Sequence, residues 1–432
     1  MSGRRAGIAA WCLYDWADSA YNTVIGTFVF SVYFARGIYG DETQGAALWG
    51  YAMAVAGFAI AVSSPVLGAV ADRAGPRKPW ITVFMAVTVT ATAFLWFAEP
   101  DPAFTVYALT LAAIATTAHA LGGVFYNAML PDVAPPAIAG RVSGWGWGLG
   151  YLGGLGALAL CLVLLVLPET PPLGLDPERS EEIRATTLVV AAWFLVFALP
   201  MLLLTPDRPS AALGVGPAVR SGLAQLKRSL KALPGHRQLL YFLVASALYR
   251  DGLATLFAVG GIYAAGTFGM EFEQILVFAI GLNVTAATGA GLFAALTDRI
   301  GAKPTVLVGL TGLIATGLPL IFVTDWVVFV VLALLLGLFV GPAQSASRVL
   351  MARLAKPAEM TEMFGLYAMT GKAIAFVGPL GFGLLTDIFD TQRAGLTIIL
   401  VMWIAGALLL LPVREPRQAA SQTGENSKSQ MR

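Results

Sequence analysis

Apolar residues along this chain come in long, nearly unbroken runs. A soluble helix would show them as a stripe every three or four residues, and a half-buried strand as strict alternation. Twelve runs approach the ~20 residues that a helix needs to cross a bilayer. Their approximate limits are 11–36, 46–70, 79–98, 103–128, 142–167 and 187–205, then 238–265, 273–296, 304–323, 326–347, 361–386 and 394–413. Pro, Gly and charged clusters separate them, as at Asp72–Pro79, Pro131–Pro136 and Pro168–Pro177. Runs this continuous do not fit a membrane β-barrel, whose strands alternate. The first run is too long for a cleavable leader and carries Asp15 and Asp18 within it. The pattern predicts an all-α membrane protein of twelve transmembrane helices.

Composition narrows the class. Of 432 residues, 57% are hydrophobic and 12% are charged, against about 25% charged in a soluble domain. A soluble enzyme, a disordered chain and a nucleic-acid binder are excluded, the last for want of a basic surface. Cys12 and Cys161 sit in apolar runs and read as buried hydrophobes. The net charge of +2 conceals an asymmetry. With the N-terminus inside, the segments on that side hold 21 Lys and Arg, Arg348 among them, and the other side holds four. That bias predicts N-in, C-in topology. The long inside segment 206–237 joins two sets of six. Its stretch Val219–Leu233 mixes basic residues with Leu and reads equally as a surface-lying amphipathic helix or a solvated linker. The expected units are 1–205, the linker 206–237, 238–413, and a disordered polar tail 414–432.

The two sets repeat each other. Ala71-Asp72-Arg73-Ala74-Gly75-Pro76-Arg77-Lys78 follows the second run, and Thr297-Asp298-Arg299-Ile300-Gly301-Ala302-Lys303 follows the eighth, 226 residues on. At an offset of 221, Asn127–Gly150 matches Arg348–Gly371 through Pro136/Pro357, Gly144/Gly365 and Gly150/Gly371. Two sets of the same orientation are parallel six-helix repeats about an axis along the membrane normal.

With these motifs the chain resembles the major facilitator superfamily over its whole length. A closer resemblance rests on three stretches: Tyr14-Asp15-Trp16-Ala17-Asp18-Ser19-Ala20-Tyr21, Phe125-Tyr126-Asn127-Ala128-Met129-Leu130-Pro131-Asp132, and Gly140-Arg141-Val142-Ser143-Gly144 running on to Gly150-Tyr151-Leu152-Gly153-Gly154. Together they look like the vacuole-effluxer family, which includes a fungal exporter of vacuolar amino acids. The resemblance implies the major facilitator fold and efflux of amino acids or similar zwitterions. It also implies that the fifth run packs on the eighth, where Gly281 and Gly289 are expected to oppose Gly144 and Gly148.

Asp72 and Asp298, with Arg73, Arg141 and Arg299 beside them, read as gate latches. A carboxylate can dock on a helix N-terminus, where unpaired N–H groups carry about half a positive charge. By the repeat, Asp72 should meet the chain near Thr361, and Asp298 near Arg141–Gly144. The bland alternative is a pair of solvated turns. Gly148–Gly153 matches G-x-G-x-x-G but no strand precedes it, so small residues permitting close helix approach is the better reading.

Five charges fall inside runs: Asp15, Asp18, Arg250, Asp251 and Lys372. Asp15, Asp18 and Asn22 share one helix face. An ionised group at the bilayer centre costs about 2.5–3.5 kcal/mol or more, so these side chains should face a shared interior. They form either a static salt-bridge lattice or a binding centre. In the second case the substrate contacts are Asp18, Asn22, Arg250, Asp251, Lys372, Tyr21, Asn127 and Gln344, and a coupling proton would reside on Asp18, Asp15 or Asp251. His119 and Asn283 are secondary candidates. No Walker A, H-E-x-x-H or Cys/His cluster is present, so neither catalytic residues, a cofactor nor a metal is expected. The expected function is alternating-access transport of a small solute, with protons as the candidate coupling ion, by a monomer in a bacterial inner membrane. A drug exporter and a non-transporting receptor of the same fold are the alternatives.

Overall fold

The computed structural model describes residues 2–168, 174–209 and 215–416. Residues 417–432, most of the tail expected to be disordered, lie outside it. Among the described residues there is no strand, and eleven helices are long and apolar enough to cross a membrane. The twelfth crossing is the first helical segment, which Arg4, Arg5, Asp15 and Asp18 make less apolar.

Span 1 is a continuous helical rod, Ser2–Ala20 followed by a wide-turn stretch Tyr21–Phe28, then Phe30–Tyr33 and Phe34–Ile38. Such π-type stretches concentrate at functional sites. Span 2 is Glu42–Ala74, opened by Asp41, whose side chain accepts from Gln44 N–H. Span 3 is Lys78–Phe94, span 4 Thr105–Ala128, span 5 Ala139–Cys161 and span 6 Glu181–Leu204. A linker helix, Val215–Ala232, precedes span 7 (Arg237–Phe268), span 8 (Phe272–Ile300), span 9 (Ala302–Leu320) and span 10 (Trp326–Leu354). Span 11 is broken into Met360–Ala373 and Val377–Phe389, and span 12 is Gln392–Leu410.

The repeat governs the packing. Spans 1, 5 and 6 cluster, as do 7, 11 and 12, and the halves meet where span 2 lies on span 11 and span 5 on span 8. Lipid offers helices no hydrophobic drive to associate, so close van der Waals approach has to hold them. Glycine supplies it. A Cβ on Gly365 would strike the backbone carbonyl of Ser64, and one on Gly144 would meet Ala290 O at 2.6 Å. Span 5 presents Gly144 and Gly148 to Ala287, Ala290 and Ala294 of span 8, and turns Gly150, Gly153 and Gly154 toward span 1. Gly281 and Gly289 do not oppose span 5. They face Leu334 and Leu338 of span 10, and alanines take their place.

The linker is neither free nor wholly solvated. Ala218, Gly222, Gln225 and Leu226 are buried against span 2, and Arg220, Lys227, Arg228 and Lys231 stay exposed.

Candidate functional site: paired latches beneath a charged cleft

One face of the bundle is closed by the duplicated loops. The carboxylate of Asp72 accepts from the N–H groups of Thr361 (3.1 Å) and Glu362 (2.9 Å), at the start of span 11. Asp298 accepts from Gly140 N–H (2.7 Å), Arg141 N–H (3.1 Å) and Arg141 Nε (2.8 Å), at the start of span 5. Both carboxylates are almost fully buried. Each crosses between halves, and each satisfies N–H groups that a helix start leaves unpaired.

Their basic neighbours behave differently from one another. Arg141 joins its latch. Arg73 instead reaches the linker helix, donating to Gln225 Oε1, while Gln225 Nε2 donates to Glu362 Oε2 (2.8 Å). Gln225 thus bridges span 2 and span 11 beside the Asp72 latch. Arg299 is exposed and contributes no contact to the Asp298 latch.

Arg77 was not singled out by its motif position, yet it is 1% exposed and central. It donates to Thr361 Oγ1 (2.9 Å), Ala128 O (2.8 Å) and Asp132, and lies 3.5 Å from Asp72. Burial draws its guanidinium below the ordinary arginine range, and Asp132 opposes that. The two repeats also cap alike: Asp207 accepts from Arg77 and Lys78 N–H, and Glu415 from Ala302 and Lys303 N–H.

Deeper, a further contact joins the halves. Arg348 Nη1 and Nη2 each lie 3.0 Å from Asp15 Oδ2. Its guanidinium faces the rings of Trp11 (5.0 Å), Trp147 (5.3 Å) and Tyr126 (5.5 Å). This corrects the expected topology, because Arg348 is not in an inside loop but within span 10, 5% exposed. It also removes Asp15 from the shared interior, since that carboxylate is committed below the cavity. Ser143 Oγ donates to Ser345 O (2.8 Å) alongside.

Above this layer the halves part around a cavity of about 430 Å³. Asp18, Asn22 and Asn127 line it from the first half, and Arg250, Asp251, Gln344 and Lys372 from the second. Two further hollows extend it along span 1, through the shared residues Asn22, Phe257 and Gln344 and then Thr27 and Ala258, as far as Arg36. The cleft therefore leads away from the latched face.

Within it, both cations, Arg250 and Lys372, belong to the second half together with Asp251, and the first half contributes Asp18. His119 Nε2 lies 2.8 Å from Asp18 Oδ1 and 3.2 Å from Asp18 O. Both are acceptors, so Nε2 carries the hydrogen. Tyr21 stacks on His119 at 4.9 Å and donates or accepts at Thr116 Oγ1 (2.9 Å). Tyr21 is 2% exposed and absent from the cavity wall, so it supports His119 and does not contact a ligand. Opposite, Arg250 lies over the Tyr367 ring at 4.1 Å. Lys372, one residue before the last helical residue of the first segment of span 11, is exposed to the cavity and has no ion-pair partner among the described residues. Asp251 borders the cavity, but its Oδ2 accepts Gly378 N–H (2.9 Å) and so caps the second segment of span 11. Gln344 Nε2 donates to Tyr151 OH (3.1 Å) across the halves. Among the described residues no group of His, Cys, Asp and Glu is placed to hold a metal ion.

Two six-helix halves, closed on one side by duplicated carboxylate latches and parted over a charged cleft, define a transporter of the major facilitator class. Solved structures agree on the fold. The proton:xylose symporter XylE superposes with a TM-score of 0.74 over 96% of each chain at 15% identity. The fucose:proton symporter FucP of E. coli gives 0.73 over 96% of this chain and 99% of that one, also at 15%. The pattern of the vacuole effluxer Atg22-like family matches residues 3–423, and the chain belongs to that family. The MFS-type transporter YxiO of Bacillus subtilis is 28% identical over 94% of both chains. Autophagy-related protein 22 of Cryptococcus neoformans is 25% identical over 67% of this chain, which spans 56% of that longer protein.

Proposed function

We propose that this transporter exports a small zwitterion of the amino-acid type by alternating access, coupled to a proton. The observation that carries this reading is the division of charge across the cleft. Arg250 and Lys372 on one half suit a carboxylate, and Asp18 on the other suits an ammonium group or a proton. A cavity of about 430 Å³ is within the usual size of small-molecule sites, roughly 300–1,000 Å³. The family's description as vacuole effluxers supports the export direction. Asp18 is the proton carrier in this scheme, with His119 positioned to share the hydrogen. With Arg348 removed from the inside set, the excess of Lys and Arg on that side still supports N-in, C-in orientation, which puts the latched face inside.

Counterflow in proteoliposomes tests the proposal. Vesicles preloaded with a mixed amino-acid pool should accumulate labelled amino acid at a rate that changes with the pH difference. Accumulation equal to that of protein-free vesicles, for every amino acid tried, would refute the substrate class. Accumulation indifferent to pH would refute the coupling alone.

A further inference from the structure

A second recess lies outside the cleft, on the flank of the bundle beside the latched face. It holds about 930 Å³ between spans 1, 5 and 8, and Gly291 on its span 8 wall leaves open space. Ile8, Leu149, Leu152 and Val284 make its wall apolar. Arg5 and Arg141 also line it, and no carboxylate does among the described residues. Arg141 spends its backbone N–H and Nε on Asp298 and leaves its two terminal nitrogens without a hydrogen bond to the described residues. Arg5 is exposed and makes no ion pair with them.

We propose that this groove binds one anionic phospholipid drawn from the bilayer, its phosphate between Arg5 and Arg141 and one acyl chain along the groove. Length supports the fit. Arg141 and Leu152 lie eleven helical steps apart on span 5, about 16 Å at 1.5 Å per residue, and one leaflet of a ~30 Å hydrocarbon core is about 15 Å deep. Charge supports the lipid class. Guanidinium groups pair with phosphate oxygens through directed N–H donors, and a headgroup with its own cation would place that cation against two arginines. Spans 5 and 8 belong to opposite halves, so a lipid seated here touches both and its phosphate shares Arg141 with the Asp298 latch. A lipid seated here therefore bridges the interface between the halves.

The test uses the full chain, purified and delipidated in detergent, with native mass spectrometry counting bound lipid. Dioleoyl phosphatidylglycerol should bind one per protein, about fivefold more tightly than dioleoyl phosphatidylcholine, since a basic residue near a lipid surface contributes about 1 kcal/mol and Arg5 is the groove arginine not already paired with a carboxylate. Arg5→Gln should erase most of that preference and leave phosphatidylcholine unchanged. Thr288→Trp and, independently, Ala9→Phe should fill the groove and weaken both lipids, with melting temperatures checking that each variant is folded. Equal binding of the two lipids by the unaltered protein would overturn the proposal. So would an unchanged preference in Arg5→Gln, or oleate binding as tightly as phosphatidylglycerol.

Discussion

Replacing Asp72 by Asn tests the latch with almost no change of shape. The buried carboxylate holds two backbone N–H groups at 3.1 and 2.9 Å at the start of a helix. An amide keeps one acceptor and turns an NH2 group toward the second N–H. The change removes one charge-assisted hydrogen bond, about 1.5–3 kcal/mol. It also removes the carboxylate's attraction to the helix terminus, about 0.3–1 kcal/mol. Both losses fall on the latched state only, because water solvates either side chain once the halves part. Asp298 still holds the second latch, so about 2 kcal/mol is a reasonable net shift, roughly 30-fold in the unlatched population.

Ser64 reports that population. It is 1% exposed on span 2 and donates to Gly365 O of span 11 (3.0 Å), so it meets reagent only when those spans separate. In a background lacking Cys12 and Cys161, Ser64→Cys should react with a maleimide roughly 30-fold faster when Asp72→Asn is added. Ser246→Cys, buried within span 7, should not change. Transport should slow, because the cycle must return through a latched state that is now less populated. An unchanged rate at position 64 would refute the latch, and an equal rise at position 246 would show general loosening in place of gating.

Lys372→Ala and Arg250→Ala should each weaken substrate binding with normal membrane insertion; uptake like that of the unaltered protein in both would remove the cleft as the binding centre. Asp18→Asn should abolish dependence on a pH gradient in proteoliposomes, and a dependence that persists would move the proton elsewhere. Asp15→Asn or Arg348→Gln alone leaves a buried partner unpaired, which should cost about 3–5 kcal/mol. The double variant should recover most of that in denaturation measurements, and simple additivity of the two losses would show that the pair is not coupled.

Much of this arrangement was legible in order along the chain. The spans follow from run length, because only an internally hydrogen-bonded helix tolerates lipid. The latch partners follow from the repeat: once Asn127–Gly150 matches Arg348–Gly371, Asp72 has to look toward the start of span 11 as Asp298 looks toward span 5. Three misplacements share one cause, which is that side-chain pairing is a property of neighbours distant in sequence. Arg348 looked like a loop residue because the apolar run stops near residue 347, but span 10 continues to Leu354, and Asp15 with three aromatic rings makes that burial tolerable. A helix read through to Pro357 would have exposed it. Asp15 is held by Arg348 below the cavity, and Tyr21 sits at the right depth but is turned to Thr116, whereas Asp251 borders the cavity and also caps at Gly378. His119, a secondary candidate by sequence, gains its place at the site from its position against Asp18.

By itself the sequence determined a twelve-span, twofold-repeated membrane protein with a small set of charges in its interior. Periodicity and the cost of exposing charge to lipid are local rules, and the chain obeys them residue by residue. Only the tertiary structure decided which charges face each other. Asp15 locks to Arg348 below the cavity and Asp251 caps a helix. Asp18, Arg250 and Lys372 line the cleft without such a structural commitment to another span's backbone N–H, and Asp251 borders it while capping. That sorting depends on helix rotation and on close glycine contacts between distant spans, which no run of apolar residues encodes.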